Sequence, residues 1–302
     1  MFIKLSRHAC PGQTPKNPIT QHEPIHWIVD PTPTAVLTVF PLDGYFVNES
    51  SKKITAIFKK LLLSDSTNLP APSLPIAKEI LARPDVVGPA ALSAMMGLPF
   101  HVIIFQESLG VLPVNENEPS LLVISRKPNK PDTCNTSNIY DLRRAIQRYR
   151  GASFLKSKKL ISAGTHLECY LANNAGPDMQ VDPWPGDFDA VVFDLGANEV
   201  RSLVEFKTHN RDLPTSEEWL GKYDSDQYRV DVLFALRDSI ADLQKTPIEL
   251  KYVVWGSREY ATHRDVIITT VVDRNKLRGN KTISMLRPGF GEFDANILAA
   301  LI

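Results

Sequence analysis

The chain lacks any excess of charge. Lys and Arg together number 34, and so do Asp and Glu, for a formal net charge of zero. That excludes a histone-like or tail-driven binder but leaves room for an enzyme with a local basic groove. Cysteine is scarce: Cys10, Cys134 and Cys169 are scattered and odd in number. This reads as a reducing, intracellular setting (cytoplasmic or nuclear) rather than a disulfide framework. Long apolar runs are missing. Those present, such as "VIITTVV", are strand-length and too short for a bilayer, so no membrane association is expected. The opening "MFIKLSRHAC" has no apolar stretch of the kind a signal peptide needs. There is no Gly-x-x-x-x-Gly-Lys-Ser/Thr loop and no Gly-x-Ser-x-Gly elbow. No internal repeat is visible in the residues.

Proline is plentiful, with 23 in the chain. It clusters in residues 11–41, 70–75 and 113–131, which predicts short elements before residue 125. "AVLTVF", "PFHVIIF" and "SLLVISR" read as strands, and "SKKITAIFKKLLL" as a helix. "GPAALSAMMGLP" reads as a helix packed in a core. The polar, proline-bearing segment 126–138 reads as a linker. It would join an N-terminal recognition or interaction domain (1–125) to a second domain (139–302).

The second domain has a cleaner pattern. "DLRRAIQRYRG" is helical, with Gly151 as its stop. A second helical stripe runs from Leu160 to Leu171 with Glu168 at its edge. "DFDAVVFD" and "VRSLVEFK" are strands joined by the turn "LGAN". Thr215 and Glu218 suggest a capping box opening a long helix, broken near Gly221. "KYVVWGS" and "DVIITTVVD" are further strands. The fold class expected is α/β (α+β), a mixed sheet flanked by helices, with a smaller mixed α+β domain before it.

Two apolar strands carry charge. Glu205 and Lys207 are two residues apart and so share a strand face. Asp189, in the preceding strand, can lie on the same side. Its rival Asp187 is expected to face away from it. Paired carboxylates repel unless a proton or cation sits between them. Such oxygen-rich sites suit Mg²⁺ or Mn²⁺, which assist phosphodiester hydrolysis, and a nearby lysine can orient the attacking water.

"GDFDAVV", then "VEFKT", resembles the PD-(D/E)XK nuclease superfamily, the restriction-endonuclease-like fold. Gly186, Phe188 and Asp189 match one half of its motif. Val204 to Thr208 match the other. The resemblance covers about half the chain and leaves residues 1–125 without an account. It implies a Mg²⁺-dependent endonuclease, with DNA as the expected substrate. Asp189, Glu205 and the Phe206 carbonyl would hold metal. Glu168 would complete the acidic cluster, Lys207 would position water, and Gln227 would support the site, with Tyr223 and Tyr228 nearby. Alternatives are a catalytically silent nuclease-fold module in a larger complex, and an RNA-directed nuclease. A homodimer, or a partner bound through residues 1–125, would fit a restriction-type enzyme.

Arg143, Arg144, Arg148, Lys156, Lys158 and Lys159 form a basic run with no acid among them, a candidate grip on phosphates. Lys251 is a weaker candidate. Trp184 and Trp219 flank the site. His8, Cys10, His22 and His26 could supply zinc ligands, although His-x-Cys is not a usual finger knuckle.

Overall fold

A computed structural model describes residues 2–5, 8–10, 12–15, 24–32, 36–109, 115–151, 163–173, 186–223, 227–258 and 260–302. The strands are β1 (Phe2–Ile3), β2 (His8–Ala9), β3 (Leu37–Val47), β4 (Ile54–Leu63), β5 (Phe100–Gln106), β6 (Leu121–Arg126), β7 (Thr133–Ser137), β8 (Ala163–Gly164), β9 (Gly186–Asp194), β10 (Glu199–His209), β11 (Glu249–Gly256), β12 (Asp265–Val271) and β13 (Lys281–Leu286). The helices are α1 (Leu74–Leu81), α2 (Pro84–Met95), α3 (Ile139–Arg150), α4 (His166–Asn173), α5 (Gln227–Gln244) and α6 (Ala295–Leu301). The chain is mixed α/β, as expected.

It forms two compact units. One comprises Met1–Gln21 and Gly44–Pro185, the other His22–Asp43 and Gly186–Ile302. The boundary therefore does not fall at residues 126–138. Part of that segment is β7, hydrogen-bonded along β6 from Leu121 opposite Ser137 to Ser125 opposite Thr133. A paired strand is part of a unit, whatever its polarity. The first 125 residues likewise contribute to both units.

In the first unit the strands run β3–β4–β5–β6–β7, with β1 also pairing β4. β3 and β4 are an antiparallel hairpin, whereas β4 and β5 are parallel. A parallel neighbour needs a crossover, and α1 and α2 supply it. Ser73 caps α1 through the amide of Ile76, and proline occupies an early position in both helices, where its missing N–H costs nothing. β4 replaces the helix expected at residues 51–63. Ile54, Ile57, Phe58, Leu61 and Leu62 do recur at helical spacing. The strand is buried on both faces, so its apolar run carries no period of two. α3 lies where expected: Asn138 accepts from the Asp141 amide and Gly151 closes the helix at φ 68°. Its core joins Phe46, Phe58, Phe105, Leu142 and Ile146 to Leu167 and Leu171 of α4.

Cys10 and Cys169 are joined by a disulfide across a sequence separation of 159. This corrects the expectation of scattered thiols. It also removes Cys10 as a zinc ligand. Cys134 is the cysteine left as a thiol. Among the described residues no helix is long and apolar enough to cross a membrane.

In the second unit the order is β3–β9–β10–β11–β12–β13. The β9–β10 hairpin and the two later strands lie where expected. Residues 215–217 form a short 3-10 helix instead of opening the long one, and α5 begins at Gln227. Trp27, Ile28, Val204, Val253, Trp255 and Leu301 share its core, with Trp27 and Trp255 edge to face at 5.6 Å.

The two units repeat one topology: an antiparallel hairpin, a helical crossover, a strand parallel to the hairpin's second, two antiparallel strands, then a helix. The hairpins agree in register. Each return strand has an irregularity that leaves one residue unpaired, Thr55 or Arg201, and the last matched pairs are Phe58 with Gly44 and Val204 with Ala190. One step beyond, Asp189 and Glu205 correspond to Asp43 and Lys59, and Lys207 corresponds to Leu61.

Candidate active site

The site is built on the β9–β10 hairpin. Ala190, Val192 and Val204 face the tryptophan core, with Phe206 packed against it. By alternation Asp187, Asp189, Leu203, Glu205 and Lys207 belong to the other face. Asp187 is thus on the same side as Asp189, because residues two apart along a strand share a face. Its expected placement is corrected.

Beyond the Val204–Ala190 pair, the carboxylate of Asp189 bridges the strands. Its Oδ2 accepts the Phe206 amide at 2.7 Å. Glu205 is buried, only 5% exposed. Arg229, on the first turn of α5, donates to Glu205 Oε1 from Nε at 2.8 Å and also from Nη2. Its Nη1 donates to Asp187 Oδ1 at 3.2 Å. Glu205 Oε2 is buried with no hydrogen-bond partner among the described residues. Burial raises the Glu205 carboxyl well above its usual range, opposed by Arg229 and reinforced by the charges of Asp189 and Asp187. The Arg229 guanidinium is in turn held well above its ordinary value by the three acids, which outweigh its desolvation.

Three acids therefore converge, and an arginine supplies their countercharge. Arg229 drew no attention in sequence, since one arginine in "QYRVDVLFAL" looks like any solvated helix residue. Among the described residues no set of three or more Asp, Glu, His or Cys side chains is arranged to hold a metal ion.

Lys207 places its ammonium 5.6 Å from the centre of the Tyr223 ring. The row continues to His209, again two residues on and buried. His209 Nδ1 stands 3.7 Å from Glu218 Oε2, which also takes Tyr223 and Lys222 at 3.4 Å. Burial lowers the His209 imidazole, partly opposed by Glu218. Glu218 is thus a partner in a buried cluster and not a capping-box residue.

Glu168 lies on α4, not on the unit that carries the hairpin acids. It belongs to the first unit, where Lys60 Nζ meets its Oε1 at 2.5 Å and the Thr165 amide donates to Oε2 at 2.7 Å. Gln227 opens α5 with an exposed side chain. The side chain of Tyr228, like Trp184, Lys156, Lys158, Lys159 and His22, lies outside the described residues.

The expected basic grip is reduced. Arg143 is buried, donating to Glu116 Oε1 at 3.3 Å and to the Leu171 carbonyl at 3.4 Å, so it does not face solvent phosphates. Arg144 and Arg148 are exposed. Lys251 is also buried, 2.5 Å from Glu249.

No protein-family model matches the chain, and no curated protein matches it in sequence. Among solved structures, the sex pheromone staph-cAM373 precursor is 11% identical, over 93% of this chain and 86% of its own, with a TM-score of 0.17. The C-terminal domain of that precursor from Staphylococcus aureus is 8% identical over 79% of this chain and 66% of its own, at 0.14. A sex pheromone precursor from Lactobacillus salivarius subsp. salivarius UCC118 is 8% identical over 80% and 66%, at 0.13. Likenesses this weak bear on neither fold nor function.

Proposed function

We propose that the second unit is a metal-dependent phosphodiesterase acting on nucleic acid, with DNA as the expected substrate. The observation that carries this reading is the buried, unpartnered Oε2 of Glu205, beside the charges of Asp189 and Asp187. A buried carboxylate oxygen left without a partner is one hard oxygen donor of the kind Mg²⁺ or Mn²⁺ takes. Asp189 and Glu205, with the Phe206 carbonyl, would hold the ion once Arg229 gives up part of its hold on Glu205, since the three acids as they stand are not arranged around an ion. Such an ion supplies positive charge at the scissile phosphoryl group. Lys207, steadied by Tyr223, would orient the attacking water on the same strand face. The repeated topology supports assigning the chemistry to this unit, since the first carries Lys59 and Leu61 at the matching positions.

Supercoiled DNA, linear DNA and RNA, each incubated with and without Mg²⁺, test the activity and the substrate. Mg²⁺-dependent cleavage should vanish in Glu205→Ala and in Lys207→Ala, with circular dichroism unchanged. Full activity in both variants refutes the assignment.

A second reading rests on Arg229, which already neutralises the acids in place of a metal. The unit would then be a silent nuclease-like module that only binds. Calorimetry with Mn²⁺ separates the two, because a silent module takes up no ion at this site.

A further inference from the structure

The first unit contains a cavity of about 260 Å³ between α3 and the strand face it covers. The strand registers explain its lining. Phe58 lies opposite His101 and His101 opposite Ser125, while Ile103 lies opposite Val123 and Val123 opposite Asn135. These two cross-strand rows run beneath α3, whose Ala145 projects too little to fill the space above them.

One wall is aromatic. Phe46 stacks on Phe58 at 5.1 Å and on Tyr149 at 5.5 Å, the latter pair within 7° of parallel. The other is polar. His101 Nδ1 is 2.8 Å from Ser125 Oγ, and Nε2 is 2.7 Å from the Tyr149 hydroxyl. Burial, with Lys127 nearby, lowers His101 to about 4, so the ring is neutral at neutral pH. A neutral imidazole has one N–H and one bare nitrogen. One hydroxyl therefore donates to the ring, while the other accepts from it and keeps its own proton. Whichever tautomer forms, the wall retains one O–H for a ligand.

Lys127 and Arg148 also line the cavity, with Asp141 as the one acid. Both cations are exposed and have no ion pair among the described residues. Lys127 lies two residues beyond Ser125 and Arg148 one before Tyr149, which keeps both charges near the polar wall.

We propose that this cavity binds a small arene carboxylate. The ring would lie against Phe46 and Tyr149, and the carboxylate would meet Lys127, Arg148 and the remaining hydroxyl. The size suits one ring bearing a carboxylate, since a cavity of about 150 Å³ admits benzene. Offset stacking rewards a planar ring over an aliphatic chain.

Calorimetry on the full chain with benzoate, and with benzyl alcohol as its neutral counterpart, tests the proposal. Benzoate should bind at least tenfold more tightly. The exposed double variant Lys127→Ala/Arg148→Ala should remove that preference while leaving benzyl alcohol unchanged. Ala145→Phe, which fills the space, should abolish both. Absence of benzoate binding at millimolar concentration, or equal benzoate affinity in the wild type and the double variant, overturns it. The double variant replaces surface residues, so the test stands even if Ala145→Phe does not fold.

Discussion

Arg229 grips one oxygen of Glu205 through two donors, at 2.8 Å from Nε and also from Nη2, and the other oxygen is buried without a partner among the described residues. The carboxylate is thus half satisfied. Removing the arginine should expose the repulsion it now offsets. Arg229→Gln is expected to cost about 1–3 kcal/mol by urea denaturation, less than the ~3–5 kcal/mol of a fully buried pair, because the arginine is partly exposed. Excess Mn²⁺ should restore more melting temperature to this variant than to the wild type.

The raised Glu205 carboxyl sets a pH dependence. Its folded value lies above the unfolded one, so the native state binds more protons between the two. Stability should then fall as pH rises from the ordinary glutamate range through the folded value. Glu205→Gln should flatten that segment of the stability profile. Divalent-ion binding favours the ionised form, so Mn²⁺ affinity should increase with pH and binding should release a proton. Calorimetry in two buffers of different ionisation enthalpy reads this directly. Identical heats would mean that no proton leaves.

His101 acts in the opposite sense. Its folded value, about 4, lies below the ordinary 6.5. The unfolded chain binds the extra proton in that interval, so stability is fully present above pH 6.5 and is lost as pH falls toward 4. The loss is on the order of 3 kcal/mol at most. Urea melts from pH 7 to pH 4 should show it, and His101→Gln should reduce the slope.

The disulfide closes a long loop within the first unit. Replacing Cys10 and Cys169 by serine should remove up to about 4–5 kcal/mol on the chain-entropy account. A thiol assay in denaturant should find one reactive cysteine, Cys134, before reduction and all three after it. Three before reduction would contradict the bond.

Gly44 and Ala190 hold the same place in the two hairpins, yet they are not interchangeable. A Cβ on Gly44 would fall 1.8 Å from the Phe58 ring. Ala190 instead stands opposite Val204. Gly44→Ala should therefore destabilise by roughly 1–3 kcal/mol as an overpacked core does. Pairing it with Phe58→Val should recover part of that loss in a double-mutant cycle.

The β9–β10 hairpin was legible because apolar and charged residues alternate on it, and α3 because its stripe ends at a glycine. β4 was not, since a strand covered on both faces shows no period. α1 was hidden among prolines that begin the helix rather than break it. Of the site, Asp189, Glu205 and Lys207 were singled out from their strand spacing together with the motif resemblance it carries. Arg229 was not, because its meaning comes from which element packs over the strand face. The placement of Glu168 depended on which unit its helix joins, and neighbouring sequence suggested the wrong one. The repeated topology left no trace in the residues, because it survives in pairing register and not in side chains.

The division of the chain has a practical consequence for anyone preparing fragments. Trp27, Ile28 and the first half of β3 come from the early residues, yet they belong with strands that begin at Gly186. A polypeptide starting at residue 139 would leave β9 with an open edge and the Trp255 core without its lid. No single cut yields either half intact, and on the ribosome the second half of the molecule must wait, with residues 22–43 already made, until its last helix emerges.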